Sequence, residues 1–191
     1  MKNIIICGTC RAGKSLLSKE IKRICPWFNL YHIDQLRDAL THTFNKDFNS
    51  EENHNELRHF IYNLYKECLI EQKNNPNNFN KYVIIEGIFI TKEEILTNYN
   101  DGNSIIIFVG KPKLTDDEYF NDIRSKEKIY NTWTVNQSDE KVREMSKNFV
   151  LKSCEDEQFC KQHGFLFLDT SYNQDKSITQ FAKKIKNLVK K

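Results

Sequence analysis

Eight consecutive residues, Gly8-Thr9-Cys10-Arg11-Ala12-Gly13-Lys14-Ser15, form a complete G-x-x-x-x-G-K-S and follow the apolar run Asn3-Ile4-Ile5-Ile6-Cys7 directly. A buried strand, a glycine-bounded turn and then a helix is the context in which this pattern cradles phosphate. The glycines let backbone N–H groups turn inward as an anion nest, capped by the positive end of the following helix. Lys14 is positioned to reach the β- and γ-phosphates of a nucleoside triphosphate, and the Ser15 hydroxyl to ligate Mg²⁺. Gly8 through Ser15 are thus the predicted cofactor-binding residues.

Other residues able to do chemistry stand at the ends of apolar runs. Asp34 closes the run Leu30–Ile33 and is followed by Arg37, giving Asp34-Gln35-Leu36-Arg37. A carboxylate there can take an acceptor proton, and a planar guanidinium grips an anion bidentately. Glu86 ends the run Tyr82-Val83-Ile84-Ile85. Its carboxylate is expensive at the end of a buried strand unless it organises Mg²⁺ or holds a substrate hydroxyl. Asp169-Thr170-Ser171 follows the run Phe165–Leu168.

The elements that must position these residues alternate. Strands are predicted at Ile4–Cys7, Leu30–Ile33, Tyr82–Glu86, Ser104–Val109 and Phe165–Leu168. Helices are predicted from Gly13 to Ile24, Gln35 to Leu40 and Ser50 through Leu69, then from Ser138 to Gln162 with Gly164 as C-cap, and from Ile178 to Val189. A polar loop is read over Thr41–Asn49 and a turn-rich linker over Asn74-Asn75-Pro76-Asn77-Asn78. Thr91-x-x-Glu94 and Thr115-x-x-Glu118 are capping boxes opening two further helices. This order predicts an α/β fold: a three-layer α/β/α sandwich with a five-stranded parallel sheet and a helical lid. Ligands bind at the carboxyl ends of such strands, where the Gly8–Ser15 loop, Asp34, Glu86, Gly110 and Asp169 all fall.

In the order of its parts the chain resembles the P-loop nucleoside and nucleotide kinases, similar to adenylate kinase and its small-molecule kinase relatives. Asp34-x-x-Arg37 resembles the D-x-x-R of adenylylsulfate kinases, which implies an Asp near the acceptor hydroxyl or the Mg²⁺ waters and an Arg on an anionic acceptor. Ile84-Ile85-Glu86-Gly87 resembles the h-h-E-G of uridine-kinase-like enzymes. The resemblance implies ATP and Mg²⁺ as cofactors and transfer of the γ-phosphate to a small-molecule acceptor such as a nucleoside or nucleotide. Lys14, Asp34 and Arg124 are the implied catalytic residues. Asp34, Arg37, Glu86 and Arg143 would bind substrate, Ser15 and Glu86 the metal, and Asp169 and Thr170 the adenine side. A lid is implied over 112–152, with Arg124, Lys126, Lys128 and Arg143 as its cations. The acceptor segment spans 35–80, with Phe44, Phe48, His54, Arg58 and His59 as possible lining. The usual lid pair of arginines three or four apart is absent.

Bulk properties narrow the classes. The 191 residues suit one domain, with 39% hydrophobic content, 13 Phe and a near-balanced formal charge of +3. That charge, without a basic aromatic stripe, gives no reason to expect nucleic acid as partner. Neither a signal peptide nor a run of ~20 apolar residues is present, so a cytoplasmic protein without membrane association is expected. The six cysteines read as reduced thiols, and Cys154, Cys160 and His163 lack zinc-site spacing. A GTPase would need D-x-x-G and N-K-x-D, and neither occurs. A nucleotide-binding regulator without acceptor chemistry is the alternative.

Overall fold

A computed structural model describes residues 1–75, 82–127 and 133–189. Lys128 of the expected lid and Pro76, Asn77 and Asn78 of the expected linker lie outside the described residues. The element order is β1 (Asn3–Gly8), α1 (Lys14–Ile24), β2 (Asn29–His32), α2 (Ile33–Phe44), α3 (Glu51–Asn74), β3 (Val83–Glu86) and α4 (Lys92–Glu94). It continues with a π-helical turn (Ile95–Tyr99), β4 (Ser104–Gly110), α5 (Asp116–Glu127), α6 (Asp139–His163), β5 (Leu166–Asp169) and α7 (Gln174–Leu188). The five strands form one all-parallel sheet in the order β2-β3-β1-β4-β5.

Residue alternation in β1 builds a core on each face of the sheet. Ile4 and Ile6 point to a layer made by α1 and α7, through Leu17, Ile21, Ile178, Ala182 and Ile185. Ile5 and Cys7 point to the opposite layer, with Leu57, Ile61 and Tyr65 of α3 and Phe159 of α6. Every residue of β1 is buried, as befits a central parallel strand covered on both faces. A third cluster, Leu114, Tyr119, Phe120, Ile123 and Val142, packs α5 against α6 and is the core of the expected lid segment. No helix among the described residues is long and apolar enough to cross a membrane.

Local signals set most boundaries. Both capping boxes form: Glu94 N donates to Thr91 Oγ1 while Thr91 N donates to Glu94, and Thr115 and Glu118 repeat the exchange. Gly164 caps α6 at φ 72. Three expectations need correction. The helix after β2 begins at Ile33 and runs to Phe44, ending where Asn45 takes the left-handed conformation, so Thr41–Phe44 is helical and Asp34 lies in the first turn. The helix opened by Thr91 turns π-helical after its first turn. The last helix starts four residues early, at Gln174, behind a left-handed Asn173.

Candidate active site

The loop after β1 is shaped by its backbone. Gly8 and Gly13 adopt φ of 121 and 101, and Arg11 between them is left-handed at φ 62. Thr9 N donates to Val109 O, and the Thr170 hydroxyl, from the turn after β5, donates to Ala12 O at 2.7 Å. Tyr119 of α5 reaches across to donate to Cys10 O at 2.6 Å. The loop is therefore held from β4, from the turn after β5 and from α5. Lys14 is only 7% exposed, and its Nζ donates to Thr9 O at 2.7 Å, folded over the loop it serves.

Ser15 and Glu86 meet. The Ser15 hydroxyl lies 3.2 Å from both carboxylate oxygens of Glu86, which is 4% exposed. His32 Nδ1 stands 2.7 Å from Glu86 Oε2, because β2 and β3 pair His32 with Glu86 in register. A hydroxyl and a carboxylate side by side are hard oxygen donors of the kind Mg²⁺ prefers. No group of three or more His, Cys, Asp and Glu side chains that could hold a metal occurs among the described residues. Such a pair fits a Mg²⁺ that takes its remaining ligands from water and nucleotide phosphate.

The wall beside the loop is built from the turns after β4 and β5. Asp169 pairs with Lys113 at 2.8 Å and accepts from Ser171 N, and these partners hold its carboxyl below the usual carboxylate range against the opposing effect of burial. Tyr172 donates to Lys113 O, tying the two turns together. Ser153 of α6 accepts from Lys111 N, and its hydroxyl lies 3.1 Å from that of Thr9.

Lys111 is the unexpected cation. It is 1% exposed, 2.5 Å from Asp122 of α5, and sits over the Tyr119 ring. Burial holds its ammonium well below the ordinary lysine range, at about 8, although Asp122 pulls the other way. Asp122 also pairs with Lys126 at 2.7 Å, and Lys126 donates to Gln174. An amine whose pKa falls on folding binds fewer protons folded than unfolded, so its unfavourable contribution fades as pH rises from about 8 towards the unfolded value. Lys111→Met is therefore expected to be neutral or stabilising at pH 7, and to lose that advantage by pH 10. Asp122→Ala, which leaves Lys111 buried without its carboxylate, should cost about 3 kcal/mol at pH 7 and less at pH 10. Denaturant unfolding at the two pH values measures both.

A cavity of about 660 Å³ opens beside Gly8, between α3, the β3–α4 connection and α6. Arg58, Lys92 and Lys152 supply cations, Glu155 and Asp156 carboxylates, and Phe89, Ile90 and Leu151 an apolar wall. Asp156 is fully buried, with Lys92 Nζ at 2.9 Å, and burial pushes its carboxyl up from the usual range.

The structure brings Lys14, Ser15, Glu86 and Thr170 together at the loop and sets Asp169 beside it. Others are placed elsewhere. The Asp34 side chain is 56% exposed, 3.6 Å from Arg37. Arg37 bonds Asp38 and lies over Phe89, which lines the cavity. Arg124 is engaged near its own helix: its three nitrogens donate to Asp139, Glu127 and the carbonyls of Thr134 and Gln137. Arg143 pairs with Asp117 and stacks on Phe120 at 4.1 Å. Lys126 is engaged with Asp122 and Gln174. Of the expected acceptor lining, His54 and Arg58 reach the cavity, Phe48 is core, and Phe44 and His59 are exposed. His32, Lys111, Tyr119 and Asp156 were not singled out by sequence. The cue for His32 was its place at the end of the second strand, two residues before Asp34.

A five-stranded parallel sheet in this order, with this loop after its first strand, is the fold of the P-loop kinases. Solved structures share it over nearly the whole chain, among them the following three. A shikimate kinase from Bacteroides thetaiotaomicron matches with a TM-score of 0.56 and 14% identity, covering 100% of this chain and 99% of its own. A shikimate kinase from Acinetobacter baumannii, in complex with shikimate, matches at 0.54 and 10% identity over 99% and 93%. A gluconokinase from Sinorhizobium meliloti 1021 matches at 0.52 and 8% identity over 98% and 97%. At these identities the likeness establishes the fold. No family model and no curated protein matches the sequence.

Proposed function

We propose that the protein is an ATP-dependent phosphotransferase that moves the γ-phosphoryl group to a hydroxyl of a small anionic acceptor, working as a single domain over residues 1–191 in the cytoplasm. The observation that carries this reading is the contact of Ser15 with Glu86 at the loop that follows β1, the loop whose Gly8 also lines the cavity. The loop amides and Lys14 hold the triphosphate, with Asp169 and Thr170 on the adenine side. Ser15 and Glu86 hold Mg²⁺, which when bound neutralises charge on the β- and γ-oxygens. Glu86 takes the Ser15 proton into a hydrogen bond, and α5, strapped to Cys10 by Tyr119, shields the loop from water. Arg124 and Arg143 brace the lid segment (112–152) and do not touch phosphate in this reading.

The acceptor binds in the cavity, behind the segment over 35–80. Lys92 pairs with Asp156 and Arg58 with Glu94, so Lys152 is the cation that favours an acceptor bearing a carboxylate or phosphate, and Phe89 and Leu151 cover its carbon skeleton. Two of the matched structures are shikimate kinases and one is a gluconokinase, which supports a small-molecule acceptor without fixing the compound. Asp34, on the first turn of α2, does not line the cavity but stands 3.6 Å from Arg37, which lies over the cavity residue Phe89, and it is the proposed proton acceptor for a hydroxyl that reaches past Phe89. A loose transition state needs little base assistance, so Asp34→Asn should slow transfer less than loss of Lys14.

The experiment is Mg²⁺- and ATP-dependent ADP release across paired acceptors, each hydroxyl compound with and without an anionic group. Anionic members should stimulate release, and Lys152→Ala should raise their KM about tenfold with kcat little changed. Stimulation by neutral members alone would refute the acceptor class. ATP binding with no stimulation by any acceptor would favour a nucleotide-binding regulator.

A further inference from the structure

His32 stands at the carboxyl end of β2, directly opposite Glu86 in the β2–β3 ladder. The pairing brings Nδ1 to 2.7 Å from Glu86 Oε2, with the imidazole largely and the carboxylate almost wholly covered. A carboxylate only accepts, so the imidazole donates. The Ser15 hydroxyl, 3.2 Å from both oxygens, donates its single proton to the same carboxylate. That bond turns the hydroxyl lone pairs away from Glu86. The direction of those lone pairs thus depends on the orientation of the Glu86 carboxylate, and the orientation of Glu86 depends on His32.

We propose that His32 is a positioning residue for the metal site: its Nδ1–H bond locks Glu86 so that the Ser15 oxygen faces a divalent cation bound with the nucleotide. This rests on the reading of Ser15 and Glu86 as the metal-holding pair. His32 touches neither metal nor nucleotide, and it acts through Glu86. Partners that orient a metal site from one bond away commonly change metal affinity by about 10- to 100-fold when removed.

The test measures binding by calorimetry, with a non-hydrolysable ATP analogue titrated into the whole protein with and without Mg²⁺. Three variants separate positioning from packing. His32→Phe keeps the ring and loses the donor. His32→Asn places an amide nitrogen where Nδ1 stands, and His32→Gln places it where Nε2 stands. Metal-free affinity should match wild type in all three. The Mg²⁺-dependent gain should fall about 10-fold or more in His32→Phe and His32→Gln, and stay within about twofold of wild type in His32→Asn. A wild-type Mg²⁺ gain in His32→Phe, or equal behaviour of the Asn and Gln variants, overturns the proposal. Should His32→Phe fail to fold, the comparison of Asn with Gln decides alone. Absence of analogue binding by the wild type, with or without metal, overturns the phosphate-site reading and this proposal with it.

Discussion

Lys14→Ala is expected to lower phosphoryl transfer on the order of 10³-fold while leaving the fold intact. The ammonium sits at the loop with Thr9 O as partner, so it needs only to swing from that carbonyl to meet phosphate oxygens. Removing one preorganised donor from a developing anion costs about 10²- to 10³-fold, and a full charge belongs at the upper end. Stability should change little, within about 1 kcal/mol, because the lost hydrogen bond is offset by relief of a nearly buried charge. Turnover and denaturant midpoint, measured on the same preparation, separate the two effects. Lys14→Arg should not restore activity, since a planar fork does not substitute for a compact ammonium in a tight nest.

Gly8→Ala should produce the opposite pattern, a failure of folding and not of chemistry alone. Gly8 adopts φ 121, a conformation that side chains resist at a cost of about 1–3 kcal/mol. A Cβ there would stand 2.1 Å from Val109 O and 2.6 Å from Val109 N, both backbone atoms of the neighbouring strand β4. Neither can move without opening the β1–β4 ladder at the centre of the sheet. The combined cost should exceed about 4 kcal/mol, a large part of the 5–15 kcal/mol that holds a domain together. Gly102→Ala is the matched control: its φ is 78, but a Cβ there meets nothing within 4 Å, so only the backbone term of about 1 kcal/mol remains. Equal midpoints for the two variants would mean that the close approach to Val109 is not what demands glycine at position 8.

Features carried by short stretches are legible in the sequence. The loop from Gly8 to Ser15, the two capping boxes, the Gly164 cap and the run ending in Glu86 each depend on neighbours a few residues away. A carboxylate at the end of such a run is costly without a partner, and Glu86 has Ser15 as one. Features made by distant partners were not legible. His32 and Glu86 are 54 positions apart, and Tyr119 and Cys10 are 109 apart. Nothing local marks either pair. Lys111 reads as one lysine among many until the sheet places it under α5. Arg124 shows the converse limit: its charge was visible, but not the carbonyls of Thr134 and Gln137 that consume it. The boundary of α2 was misplaced because a string of polar residues, Thr41 to Thr43, resembles a loop, while Asn45 in the left-handed conformation is what ends the helix.

Transfer of label from γ-labelled ATP to an anionic hydroxyl acceptor, followed side by side in the wild-type protein and Lys14→Ala, tests the central claim most directly. The account predicts labelled acceptor with Mg²⁺ in the wild type and essentially none in the variant. Transfer by Lys14→Ala at the wild-type rate would contradict it.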